Sequence, residues 1–86
     1  MNDFVPSEWL LDCVDMQEIE STWIGKPGPY GISREGWDKL KAQMEDGDVI
    51  WSFESPQDSW LHSAGRMGYA LVRSGRAIDG IVTLMN

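Results

Sequence analysis

The sequence has one cysteine, one histidine, no lysine or arginine before Lys26, and no apolar run near the length of a membrane span. Each shortage removes a class of protein. A single thiol, Cys13, forbids an internal disulfide and fits a reducing compartment. One His and one Cys supply no zinc cluster, and Glu45, Asp46 and Asp48 around Gly47 do not match the calcium-loop pattern, so no metal and no cofactor is expected. A membrane helix needs about 20 apolar residues. The acidic start also lacks the basic and apolar regions of a signal peptide. The expectation is a soluble, cytoplasmic protein.

The charge is lopsided. Asp3, Glu8, Asp12, Asp15, Glu18 and Glu20 all precede the first base, and the chain as a whole carries a formal net charge of -7. Phosphate contacts need clustered cations, which argues against direct nucleic-acid binding and turns attention to a basic partner. Acidic excess also serves plain solubility. Asp12, Glu18 and Glu20 form the candidate acidic surface.

What is present suffices for one domain. At 86 residues with 42% hydrophobic residues, five of them Trp, the chain reads as a single small unit, 1–86. Its organising stretch is the C-terminus. Two β-prone runs, Gly68 to Arg73 and Arg76 to Met85, are joined by Ser74-Gly75, which predicts a hairpin with a primed turn. That register sets Leu71 against Ile78, Tyr69 against Gly80 and Met67 against Val82.

Upstream, Pro6-Ser7 opens a short predicted helix with Trp9, Leu10, Cys13 and Val14 on one face, which makes Cys13 a buried, inert thiol. Asp15 and Glu18 form an approximate capping box for a second, carrying Ile19 and Trp23. Gly25-Lys-Pro-Gly-Pro-Tyr-Gly31 is an ordered loop with Tyr30 as its aromatic tip; it lacks the phosphate-loop order. Ser33 caps the longest helix, with Ile32 stapled to Trp37, followed by Leu40 and Met44. Val49 to Glu54 alternates as a strand with Val49, Trp51 and Phe53 on the core side. Ser55-Pro56 then starts a short helix bearing Trp60 and Leu61 that stops at Gly65.

From Ser55 onward, the order Ser55-Pro56-x-x-Ser59-Trp60, Ala64-Gly65-Arg66-x-Gly68, Leu71-Val72-Arg73-x-Gly75 and Thr83-x-Met85-Asn86 resembles a group of small uncharacterised bacterial proteins. The likeness covers a little over a third of the chain. It implies a compact bacterial domain and carries no activity with it.

These readings give an α+β fold: N-terminal short helices and one longer helix packed on one face of a three-stranded, mainly antiparallel sheet that ends in a C-terminal hairpin. The helices are expected over Tyr69, Leu71, Ile78 and Val82, with the strand order open. No convergent catalytic set stands out. Cys13 and His62 lack an activating environment, and Asp58, Ser59, His62 and Ser63 lie too close in sequence to meet from different directions. The leading expectation is a non-enzymatic protein-interaction module, self-association through a free sheet edge being one form of it. Two alternatives stand beside it: an acidic nucleic-acid mimic that inhibits a basic host protein, and a small-ligand or hydrolytic site around Trp60, His62 and Arg66. Trp23, Tyr30, Trp60, His62 and Arg66 are the candidate binding residues.

Overall fold

The computed structural model describes residues 3–86 and shows an α+β chain around a four-stranded antiparallel sheet, its strands in sequence order. A 3-10 turn (Ser7–Trp9) leads into β1 (Leu10–Val14). Helix α1 (Met16–Glu18) runs on as a π-helical stretch (Ile19–Trp23), and α2 (Arg34–Ala42) follows the glycine-rich loop. Then come β2 (Val49–Glu54), α3 (Gln57–Leu61), β3 (Arg66–Arg73) and β4 (Arg76–Met85). No helix among the described residues is long and apolar enough to cross a membrane.

The hairpin forms as the turn chemistry requires. Ser74 and Gly75 both take positive φ, 53° and 78°, the backbone of a type I′ turn. Next to the turn Arg73 faces Arg76 and Val72 faces Ala77. The register then slips between Leu71 and Val72, so that Leu71 meets Asp79, Tyr69 meets Ile81 and Gly68 meets Val82; a second slip between Met67 and Gly68 sets Met67 against Leu84. This corrects the pairs expected from an unbroken ladder. One extra residue at each bulge re-aims the strand, and it leaves Ile78 and Val82 exposed instead of under the helices.

The largest difference from the sequence reading is at residues 7 to 14. A helix there offers one apolar stripe, whereas the chain makes a single 3-10 turn, with Trp9 N–H donating to Pro6 O at 3.0 Å, and then extends. The extended segment pairs with β2 through Asp12–Ser52, Cys13–Trp51 and Val14–Ile50, adding a fourth strand. An irregularity between Leu10 and Asp12 changes which face the side chains meet. Leu10 therefore packs with Phe53 on one side of the sheet and Val14 with Ile50 on the other. A helical stripe cannot serve two layers. Cys13 is in consequence exposed, not buried.

Both faces of the sheet are covered. On the helical face Ile19, Ile32, Trp37, Leu40, Ile50, Tyr69 and Leu71 form the main core. On the other, Val5 of the strap formed by residues 3–9 packs with Phe53, Ala70, Val72 and Ala77. Phe4 meets Phe53 edge to face at 5.8 Å, and its N–H donates to Ala77 O at 2.8 Å. Strand β2 thus feeds two cores: Ile50 is buried on the helical side and Phe53 on the strap side, while Val49, expected in the core, is exposed.

Helix α2 has the start expected of it and ends at Ala42, short of Met44. The Ser33 hydroxyl accepts from Gly36 N–H at 3.0 Å, and Ile32 and Trp37 are buried in the same core. Beyond its end, Gly47 takes φ 88° and Asp48 accepts from Glu45 N–H at 2.8 Å. The Asp48 carboxylate then grips Arg73 of the hairpin through Nε at 3.0 Å and Nη2 at 2.6 Å. That fork ties the turn after α2 to the end of β3, and it holds the Asp48 carboxyl below its ordinary value. At α3 the Ser55 hydroxyl is buried; it accepts from Arg66 N–H at 2.9 Å and from the Ser59 hydroxyl at 2.6 Å. Ser55 therefore fastens α3 to β3 and does not cap the helix.

A candidate cation-receiving cleft

Helix α1 with its π-helical continuation, β1 and the loop of residues 25–31 border an open cleft of about 290 Å³ on the helical side of the sheet. Asp12, Glu18, Trp23, Tyr30, Ser52 and Tyr69 contribute to its walls. A narrower hollow of about 140 Å³ adjoins it and shares Asp12, Tyr30, Ser52 and Tyr69.

The loop is ordered because its backbone is tied at both ends and in the middle. Ile32 N–H donates to Trp23 O at 3.0 Å and Gly25 N–H to Ile32 O at 2.8 Å, closing the base. Gly25 and Gly28 supply positive φ, 75° and 97°, which the sharp path demands. The Thr83 hydroxyl donates to Pro29 O at 2.5 Å, and the Tyr69 hydroxyl donates to Tyr30 O at 3.1 Å. Tyr69 is buried, so its hydroxyl needs that acceptor. Burial first, and then the Glu18 carboxylate, push the Tyr69 phenol above its ordinary value of 10, keeping it a protonated donor at neutral pH.

Held this way, Tyr30 stands against Trp23 with ring centroids 5.6 Å apart and planes inclined at 55°. The two rings are inclined to one another and both line the cleft; Tyr30 is half exposed and Trp23 half-buried. Asp12 and Glu18 share the cleft with those rings. Neither carboxylate has an ion pair or a side-chain hydrogen bond among the described residues. The result is a small concavity with negative charge beside π faces, an environment that attracts cations.

The candidate residues from the sequence divide into three sets. Trp23, Tyr30, Asp12 and Glu18 converge on the cleft. Glu20 leaves that set: its carboxylate accepts from Trp37 Nε1 at 3.0 Å and from Lys41 Nζ at 2.6 Å, and these bonds hold it below the ordinary carboxylate value. Glu18 and Glu20 still border a wide, shallow depression along α1, but Lys41 takes up one of the charges. Trp60, His62 and Arg66 form the third set and lie elsewhere. The Trp60 ring packs on Gly65, where an added Cβ would stand 2.0 Å from it, and its Nε1 donates to Ser55 O at 3.3 Å. His62 and Arg66 are exposed, and neither side chain has a hydrogen bond or ion pair among the described residues. Tyr69 and Ser52 were not among the sequence candidates. A Tyr at a core position of a strand was the available sign, because its hydroxyl must find a partner.

No group of three or more His, Cys, Asp or Glu side chains among the described residues is placed to hold a metal ion. Comparison with protein-family models, with curated protein sequences and with solved structures gives no match.

Proposed function

We propose that this chain is a non-enzymatic protein-interaction module and that the cleft beside β1 is its docking surface for a basic segment of another protein. One observation carries the reading: Asp12 and Glu18, two carboxylates with no ion pair or side-chain hydrogen bond among the described residues, line one concavity together with Trp23 and Tyr30. Aromatic rings offer large contact area at small entropic cost, and unpaired carboxylates add charge complementarity and steering toward a basic partner. The base-free stretch before Lys26 reinforces that field.

The test is a titration of the ¹⁵N-labelled protein with a disordered lysine-serine peptide and, separately, with its glutamate counterpart. Shifts centred on Val14, the Trp23 indole and Tyr30 are expected with the lysine peptide only, weakening as salt rises. Equal shifts with both peptides, or shifts confined to β4 or α3, would overturn the proposal.

A second reading has its own observation. Strand β4 is a free sheet edge, and Ile78, Val82, Leu84 and Met85 are exposed along it. A second copy pairing there would cover them. Phe4 N–H already occupies Ala77 O, which limits such pairing to the stretch beyond it. Sedimentation equilibrium at micromolar concentration separates the two: a monomer removes the self-association reading and leaves the cleft untouched.

A further inference from the structure

We infer that the Trp23–Tyr30 corner is a seat for an alkylammonium head group, the side chain of a lysine, free or N-methylated, presented by a partner protein. The inference rests on reading the cleft as a protein-docking surface and adds the chemistry of what enters it.

Three features point to an ammonium and not a guanidinium. First, the rings are inclined at 55°. Two non-parallel walls touch a compact, tetrahedral head on two sides, whereas a planar guanidinium gains most by lying flat on one ring or between parallel ones. Second, Asp12 and Glu18 come from different elements, β1 and α1, so the negative charge is spread around the cleft. A bidentate fork needs one well-aimed carboxylate, and the protein displays that arrangement elsewhere, where Asp48 grips Arg73. Third, the Tyr69 hydroxyl, which also lines the cleft, is committed to Tyr30 O and is not turned on a cation. The Ser52 hydroxyl likewise donates to Asp12 O, at 3.5 Å.

N-methylation makes the prediction sharper. Each methyl group removes an N–H that water would solvate and adds apolar surface to press against the rings, with the positive charge retained. Affinity should therefore rise from lysine to trimethyllysine. Residues around the seat are partly exposed, so the individual contacts are modest and a short peptide binds weakly.

The experiment uses the intact protein and five probes followed by NMR: the peptide acetyl-Gly-Ser-X-Ser-Gly-amide with X as lysine, trimethyllysine, arginine, or the uncharged carbon isostere of trimethyllysine, and tetramethylammonium alone. The expected order is trimethyllysine tightest, at least about 10-fold over the carbon isostere, with lysine above arginine. Trp23→Ala and, independently, Tyr30→Phe serve as variants. Trp23→Ala should cost roughly 10-fold, and Tyr30→Phe, which keeps the ring, should change affinity less than about 2-fold. An isostere as tight as trimethyllysine, or arginine above lysine, overturns the ammonium assignment while leaving a protein-docking cleft in place. Tetramethylammonium binding as tightly as the trimethyllysine peptide overturns the protein source in favour of free small cations. If the disordered lysine-serine peptide also fails to move the cleft signals, the docking reading falls with it.

Discussion

A methyl group added at Gly31 would stand 1.8 Å from the carbonyl oxygen of Lys26 and 2.8 Å from its carbon. Both are backbone atoms, so relief requires the loop itself to move, by more than about 1 Å. The chain at Lys26 is fixed through its N–H to Trp23 O at 3.3 Å, and Gly31 N–H reaches Gly28 O at 3.2 Å, so the displacement spreads to both sides of the cleft. Overpacking of this kind costs about 1–3 kcal/mol. For a domain of this length that is a fall in Tm of roughly 4–24 °C. Gly31→Ala should therefore lower Tm by circular dichroism and also shift the Trp23 indole and Tyr30 ring signals. Gly28→Ala is the comparison: nothing lies within 4 Å of its Cβ, although φ is 97°. It should cost about 1 kcal/mol through backbone strain and leave the Trp23 signal in place. A Gly31→Ala protein with Tm within about 2 °C of the parent and unmoved Trp23 and Tyr30 signals would refute the idea that this contact sets the loop.

Three other perturbations probe the frame. Ser33→Ala removes the N-cap of α2 and should cost about 1 kcal/mol in urea unfolding, recovered in large part by Ser33→Asp. Gly65→Ala drives a Cβ into the Trp60 ring; a loss of about 1–3 kcal/mol is expected, with the Trp60 indole resonance displaced and that of Trp23 unchanged. Asp48 and Glu20 are both held below their ordinary values, by Arg73 and by Lys41 with Trp37 respectively. A carboxyl whose folded value is lowered contributes stability that is full above its unfolded value and is lost as pH falls through the folded one. The urea midpoint should therefore drop as pH goes from about 5 toward 3, and Asp48→Asn should flatten that drop while lowering the midpoint at neutral pH.

Legibility followed the range over which each element is determined. The Ser74-Gly75 turn, the Ser33 cap and the strand span Val49 to Glu54 are local chemistry, and each stands where the sequence places it, although Val49 is exposed and Ile50 buried. Strand β1 was unreadable because Leu10-Leu-Asp-Cys-Val14 has no clean period; its conformation is fixed by β2, far along the chain, and by the irregularity after Leu10. The hairpin register failed for a related reason. A bulge is one residue of extra chain, and nothing in Ile78-Asp79-Gly80 announces it. Among the site residues, Tyr30 was found because an aromatic in a glycine-proline loop is unusual, and Trp23 because it flanks that loop. Glu20 was lost to Lys41 and Trp37, partners on another helix. Trp60 was claimed by the bare surface of Gly65.

The most direct test of the cleft as a cation-receiving site is the intermolecular NOE from the nine equivalent methyl protons of trimethyllysine, carried in the five-residue peptide, to the protein's aromatic rings. Cross-peaks to Trp23 and Tyr30, with none to Trp60 or His62, are predicted. Cross-peaks to Trp60 or His62 in their place, or none at saturating peptide, would contradict the account.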